Sequence, residues 1–273
     1  MNTQNADLNY RDSIVRKNQG RAGIAIATLA LATSMTARAE EGWTWNVEPY
    51  LWATDVGVDV AISDREIVDE TIPFEDLLDD LERVIQIRAE ARHAKHGVFL
   101  DLFDVELADS GDRMTLPGGT GTELVLDTEI GLSILDAAGL YNPTGDGSGL
   151  SLLYGLRLIN QRNDIRAESQ RDGMVLGNVG IDSNDTLVDA MVGAHYKSQL
   201  GKRWAYQLAA SVSTGDTDLT WSINPMLSYA FGEDQRHQLL FGYERLVIEF
   251  DTDNALDMDM TMSGPIVGWR FEF

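Results

Sequence analysis

The sequence predicts an all-β fold, a single antiparallel transmembrane β-barrel of about ten strands, with a short helix in the first extracellular loop. Three observations support this. After residue 43 most of the chain alternates apolar and polar side chains, the period of a strand with one apolar face. Several of the opposite faces are ionic. No Pro/Ser-rich linker divides the 273 residues, and the mean hydropathy of -0.18 suits a barrel in which only alternate residues meet lipid.

Residues 1–39 have the pattern of an export signal. Basic side chains extend to Arg21, an apolar run follows from Gly23 to Met35, and Ala37-Arg38-Ala39 is a small-x-small cleavage site. The alternatives are an uncleaved anchor and a mistaken upstream start, but the apolar run is shorter than the about 20 helical residues that span a bilayer. Cleavage after Ala39 would leave residues 40–273 as the barrel domain.

Charge and cysteine content exclude several classes of function. The chain has 21 basic and 44 acidic side chains, and removal of residues 1–39 leaves 16 and 42, a net charge near -26. Nucleic acid is therefore not expected as a partner, because phosphate binding needs a positive face. Cysteine is absent, which excludes disulfides and thiolate metal sites. No cofactor is expected.

The acidic stretch before the final strand is a candidate calcium site. Asp251, Asp253, Asp257 and Asp259 offer hard oxygen ligands at short spacing. They lack the glycine turn and distal glutamate of a dedicated calcium loop. We interpret the stretch as a solvated acidic loop and expect no metal.

The first part of the barrel is predicted to contain three strands and one short helix. Trp43 to Val58 is the first strand, with Trp and Tyr typical of a membrane interface. Pro73 to Glu82 places apolar residues at helical spacing. The second strand has Ile85, Ile87, Ala89 and Ala91 on one face and Gln86, Arg88, Glu90 and Arg92 on the other. The third extends to about Ala108, with Asp101 isolated among apolar residues.

Alternation then continues between turns. In the fourth strand we assign Leu124 to Ile134 to lipid and the opposite acidic face to the lumen. The fifth follows the turn at 142–149. Residues 110–121 and 163–185 are predicted loops, and the remaining strands begin near Val188, Trp204, Trp221 and Leu239. A slip of the apolar phase before Pro265 predicts a bulge at Ser263-Gly264, with Asp257 and Asp259 above the membrane.

Charged residues opposite the apolar stripes are assigned to the lumen, because a charge facing hydrocarbon at the midplane costs about 2 to 4 kcal/mol. The predicted network comprises Arg88, Glu90, Arg92, Asp127, Glu129, Arg157, Asp189, His195 and Lys197. Ten strands leave little room beyond side chains. We therefore expect a structural barrel or a narrow small-solute channel that prefers cations.

A catalytic role is not expected. His195 is the only candidate base, and Ser198 lies at an odd offset, which places the two side chains on opposite faces of a strand. A lipid-modifying hydrolase and a secreted soluble β-barrel binding protein remain as alternatives.

The last strand resembles a known assembly signal. Gly268, Phe271 and Phe273 match the Gly-x-x-aromatic-x-aromatic ending of bacterial outer-membrane barrels. PYLWA (49–53), PFEDLL (73–78), Asp189 with Gly193, FGYERL (241–246) and GPIVGWRFEF (264–273) together resemble a poorly characterised family of Gram-negative outer-membrane β-barrel proteins, although Glu244 stands where Arg is expected. The resemblance implies an outer-membrane location, the barrel assembly machinery and outer-membrane lipids as partners, and no particular substrate.

Overall fold

The computed structural model describes residues 42–62, 65–115, 122–145, 147–171, 174–250 and 256–273. The predicted signal segment 1–39 and the glycine cluster 118–121 lie outside the described residues. No helix in the described ranges is long and apolar enough to cross a bilayer.

The described residues form twelve strands and one helix. The elements are β1 (Trp43–Trp52), β2 (Asp55–Ile62), β3 (Arg65–Ile72), α1 (Phe74–Asp80), β4 (Leu81–His93), β5 (His96–Thr115), β6 (Thr122–Tyr141), β7 (Gly149–Arg171), β8 (Met174–Gln199), β9 (Trp204–Gly215), β10 (Leu219–Phe231), β11 (His237–Phe250) and β12 (Leu256–Glu272).

Ten antiparallel strands close into a barrel. Strands β4 to β12 pair with their neighbours in sequence, and β1 pairs with both β4 and β12. At the junction the Phe273 N–H donates to the Trp45 carbonyl at 2.9 Å, and the Trp45 N–H donates to the Phe273 carbonyl at 3.3 Å. The predicted fold class is confirmed, including the short helix α1 between the first strands and β4.

The first strand is interrupted at Ala53-Thr54. Beyond this point β2 replaces β1 along β12, and β3 pairs with the other edge of β2. The register is unchanged across the interruption, since Trp52 lies opposite Ile266 and Asp55 lies opposite Ser263. The pairing of β11 with β12 is also continuous, so the predicted bulge at Ser263-Gly264 is wrong. The apolar phase slips there because Met260 and Met262 point into the barrel and not toward lipid.

Two hairpins extend where loops were predicted. β5 and β6 remain paired up to Thr115 and Glu123, and β7 and β8 up to Arg171 and Met174. The predicted loop at 163–185 is therefore largely strand, with Asn163 opposite Ser183. Its sequence lacks regular apolar alternation, because 163–171 is mostly polar and Met174, Val175 and Leu176 are consecutive and exposed. Backbone pairing continues without a buried apolar face.

The outer face carries an apolar band between two borders. In β7 the residues 150, 152, 154, 156 and 158 point outward, a nine-residue span that matches the about 9 to 11 residues of a tilted transmembrane strand. Next to the short turns, exposed aromatic side chains form the lower border: Trp45, Tyr196, Trp204 and Trp269. The outer face is thus that of a transmembrane barrel.

The upper border is a row of outward polar side chains across five neighbouring strands, here called the outer polar ring: Arg83, Asp104, Ser133, Asn160 and Thr186. The Arg83 Nε donates to Asp104 at 2.8 Å, and Ser133 donates to the other Asp104 oxygen. Asn160 donates to Thr186 Oγ1 at 2.9 Å. This row marks the depth at which outward side chains cease to be apolar.

Candidate functional site in the barrel interior

The upper layer of the interior is an apolar plug at the level of the outer polar ring. Its buried residues are Trp52, Phe103, Ile134, Ile159, Leu246, Ile248, Met262 and Ile266. Met226 and Leu240 belong to the same apolar cluster but lie lower, and Met226 also lines the cavity below the plug. The rings of Trp52 and Phe103 meet edge to face, with centroids 5.4 Å apart. Phe103 and Ile134 point inward because each is adjacent in sequence to an outward member of the ring, and side chains alternate along a strand.

Below the plug lies a polar cavity of about 370 Å³, here called the chamber. Its lining reaches from turn residues Ala94, Gly145 and Gly147 up to Asp136 and Glu244, so it extends from the end of the barrel that carries the short turns. The lining includes six carboxylates and five cationic groups: Glu48, Glu90, Asp101, Asp136, Glu244 and Glu272, with Arg88, Arg92, Arg157, Lys197 and Arg270. Opposite charges are nearly balanced.

Glu48 is the centre of the largest ion-pair group. Arg270 donates to its Oε2 atom from Nε at 2.9 Å and from Nη2 at 2.7 Å. Arg88 Nη1 donates to the other carboxylate oxygen at 3.3 Å. The Glu48 side chain is only 3% exposed, so both cations compensate a charge that has lost its water.

Arg88 connects Glu48 to a second carboxylate. Its Nε and Nη2 atoms donate to Asp101 Oδ2 at 2.8 and 2.6 Å, and the Tyr50 hydroxyl donates to Asp101 Oδ1 at 2.9 Å. The guanidinium also lies over the Tyr50 ring, 5.1 Å from its centroid. The isolated acid in the third predicted strand is therefore an inward residue.

Two further pairs complete the chamber wall. Arg157 forms a bidentate pair with Asp136, with both distances 2.7 Å, and Nη2 also donates to Ser211 Oγ at 3.1 Å. Arg92 pairs with Glu90 through Nε and Nη2. These pairs join adjacent strands or neighbouring positions of one strand and hold the side chains against the wall.

The structure places six of the nine predicted lumen residues on the chamber wall: Arg88, Glu90, Arg92, Arg157, His195 and Lys197. Asp189 is different. It is buried, but it accepts hydrogen bonds from the Thr217 N–H at 3.1 Å, Thr217 Oγ1 at 2.6 Å and Ser213 Oγ at 3.1 Å. Asp189 therefore fixes the β9–β10 turn and is not a member of the charge network.

The assignment of Asp127 and Glu129 to the lumen is wrong. Ile134 belongs to the plug, and the β6–β7 register is unbroken, so residues at odd positions of β6 point outward. Both acids lie above the outer polar ring, beyond the apolar band. Their charge does not meet hydrocarbon, which removes the reason for turning them inward.

Six charged chamber residues were not predicted as network members: Glu48, Asp101, Asp136, Glu244, Arg270 and Glu272. Arg270 and Glu48 are 222 residues apart in sequence, and only closure of the barrel brings them together. A signal was present, because each interrupts or opposes an apolar stripe in its strand. Their pairing required the register between strands.

His195, the candidate catalytic base, is packed against an aromatic side chain. His195 packs edge to face against Phe99, with ring centroids 5.1 Å apart. Ser198 lies on the opposite face of β8, as predicted from the strand period.

Within the described ranges, one group of acids could hold a metal ion. Carboxylate oxygens of Glu82, Glu106 and Glu129 lie within 4.8 Å of one another. Arg83 Nη1 lies 2.8 Å from Glu106 and already supplies a positive charge there. The group lies beside the outer polar ring and outside the chamber.

Neither family models nor curated proteins match this sequence. Among solved structures, the chain is similar to the outer-membrane protease OmpT from Escherichia coli, with 9% identity, a TM-score of 0.46 and coverage of 84% of this chain and 97% of that one. The translocator domain of the autotransporter NalP from Neisseria meningitidis has 9% identity, a TM-score of 0.32 and coverage of 96% and 98%. Ail, the attachment invasion locus protein of Yersinia pestis, has 9% identity, a TM-score of 0.28 and coverage of 86% and 100%. These likenesses are too distant to indicate an activity.

Proposed function

We propose that this chain is an integral β-barrel protein of the bacterial outer membrane that is closed at rest and has a structural role. The observation that carries the proposal is the apolar plug. Ile159, Ile248 and Met262 are at most 1% exposed, so the plug is packed like a protein core at the level of the outer polar ring. Hydrated ions do not cross a packed apolar layer without its rearrangement.

The outer face supports the membrane location. Large apolar side chains such as Leu152, Val192 and Val267 are about half exposed, and they form a continuous band bordered by aromatic and polar rows. This band favours a membrane barrel over the secreted soluble binding protein. Together with the resemblance of the strand motifs to the outer-membrane family, it makes outer-membrane lipids and the barrel assembly machinery the proposed partners. Cell fractionation tests the location: the protein should remain in the outer-membrane fraction after detergent extraction.

The proposal includes no catalytic role. His195 is packed against Phe99, and the serine that the sequence places nearest to it in β8 faces away. A narrow channel remains the second candidate because acids exceed bases by one among the chamber lining. If the plug opened, the residual field would favour cations.

Planar-bilayer recording of the purified protein tests the closed state. The unaltered protein should give no stepwise conductance at low voltage. The double variant Trp52→Ala with Phe103→Ala removes two facing plug rings and should produce small, cation-preferring steps. The control variant Leu51→Ala with Leu102→Ala changes the neighbouring outward positions and should stay silent. Large steps from the unaltered protein, or anion preference in the plug variant, would contradict the proposal.

A further inference from the structure

Two charged side chains of the chamber have no ion-pair partner. The lining has six carboxylates and five cationic groups, and nine of these eleven pair with one another. The paired groups are Glu48, Glu90, Asp101, Asp136, Glu244, Arg88, Arg92, Arg157 and Arg270. Lys197 and Glu272 remain, and neither forms an ion pair with any residue that the structure describes. The chamber therefore has one cation and one carboxylate to spare.

Both of these side chains point into the open part of the chamber. Lys197 follows the inward His195 by two positions in β8, and Glu272 follows the inward Arg270 by two positions in β12. Each is partly exposed and so is not sealed into the wall. Gly149 lies opposite Lys197 in β7, and a side chain at that glycine would meet no atom within 4 Å. The chamber is therefore open beside Lys197.

The charges around Lys197 favour a carboxylate beside it. Arg92 and Arg270 add positive charge near its ammonium group, while the nearby Glu90 is already paired with Arg92. Glu272 also acts on Lys197 through the chamber, although no ion pair joins the two. A ligand carboxylate would therefore pair with Lys197, and a ligand ammonium group would pair with Glu272. Hydrogen bonds between ionised groups are about twice as strong as those between neutral ones.

The two spare charges determine the class of ligand. A ligand of one sign would pair with only one of them and would add a net charge to the barrel interior, where an uncompensated charge is costly. A zwitterion pairs with both and adds none. The volume of about 370 Å³ lies in the range of small-molecule sites, roughly 300 to 1,000 Å³. Phe99, Leu153 and Met191 belong to a second apolar cluster and also line the chamber, so they offer a surface to an apolar side chain of the ligand.

We infer that the chamber binds a small zwitterion of the size of an amino acid or dipeptide, with its carboxylate on Lys197 and its ammonium group on Glu272. Access is from the end that carries the short turns, which faces the periplasm in the proposed orientation. That side rests on the proposed function, whereas binding itself does not, because it needs only the folded barrel.

Isothermal titration calorimetry tests the site on the full barrel in dodecyl maltoside, a detergent without charge. The probes are L-leucine and L-leucyl-L-leucine, each compared with its N-acetyl form, which lacks the ammonium group, and its amide form, which lacks the carboxylate. At least one zwitterion should bind with a dissociation constant at least tenfold lower than those of both its blocked forms. A smaller preference, or no heat from either zwitterion, would overturn the inference. The assay is independent of conductance, so its failure leaves the closed-barrel proposal untouched.

Two variants that each remove one charge locate the site. Lys197→Met and Glu272→Gln should each weaken binding of the zwitterion at least tenfold. Lys197→Met should also abolish its advantage over the amide form, and Glu272→Gln its advantage over the N-acetyl form, which a merely structural role would not do.

Matched controls remove the same charges outside the chamber. Lys202→Met and Glu233→Gln lie in exposed short turns and should leave the affinity unchanged. Heat-modifiable gel mobility shows whether each variant is folded, and Lys197→Gln replaces Lys197→Met if the latter does not fold. Unchanged affinity in the folded chamber variants would overturn the assignment.

Discussion

The chamber and the plug occupy the same barrel but reverse its pattern. Around the chamber, the strands carry charges inward and apolar side chains outward, as in β8, where His195 and Lys197 line the cavity and Val192 faces out. Around the plug, Phe103 and Ile134 point inward while Asp104 and Ser133 point outward. Alternation in the sequence shows only that the two faces of a strand differ in polarity. Whether the polar or the apolar side chains point inward depends on the depth in the membrane.

The largest expected effect tests the chamber's ion pairs against an outer one. Arg270→Met leaves the buried Glu48 with only the longer contact to Arg88, and loss of one partner of a buried pair costs about 3 to 5 kcal/mol. Arg83→Met removes a pair in the outer polar ring, where Arg83 is 35% exposed, and should cost less than about 1 kcal/mol. Guanidinium unfolding in lipid vesicles measures both. Equal losses would show that the two regions do not differ in burial as described.

A somewhat smaller effect is expected in the plug. Met262 is 1% exposed among apolar neighbours, so Met262→Ala should lower the free energy of unfolding by about 2 to 4 kcal/mol through lost burial and a residual cavity. Met174 is 69% exposed at the tip of the β7–β8 hairpin, and Met174→Ala should change stability by less than about 0.5 kcal/mol. Guanidinium unfolding in lipid vesicles measures the stability of both variants. A Met262 variant as stable as the Met174 variant would mean that β12 faces lipid at this depth.

The sequence was sufficient for the fold and for part of the chamber. Strict alternation gave the inward face of β4, where Arg88 and Arg92 oppose Ile85 and Ile87. It failed in β6, because Ile130 to Ile134 had the period of a lipid-facing stripe, and the period carries no information about depth. It also failed at 163–185, where neither strand has a regular apolar stripe and Met174, Val175 and Leu176 are all exposed. Contacts such as Arg270 to Glu48 depend on barrel closure, which no local pattern encodes.

The smallest effect concerns Glu129, which we first assigned to the lumen and which the β6 register turns outward above the membrane band. Glu129→Cys should leave stability nearly unchanged, because surface substitutions usually alter it by less than about 0.5 kcal/mol. An impermeant thiol reagent should modify this cysteine in intact cells, since the side chain lies above the outer polar ring on the extracellular side of the proposed topology. Val192→Cys, placed in the apolar band, should stay unmodified. The chain has no native cysteine, so the reagent can modify only the introduced one. Modification at 192 but not at 129 would restore the inward assignment of Glu129 and reverse the depth dependence inferred for β6.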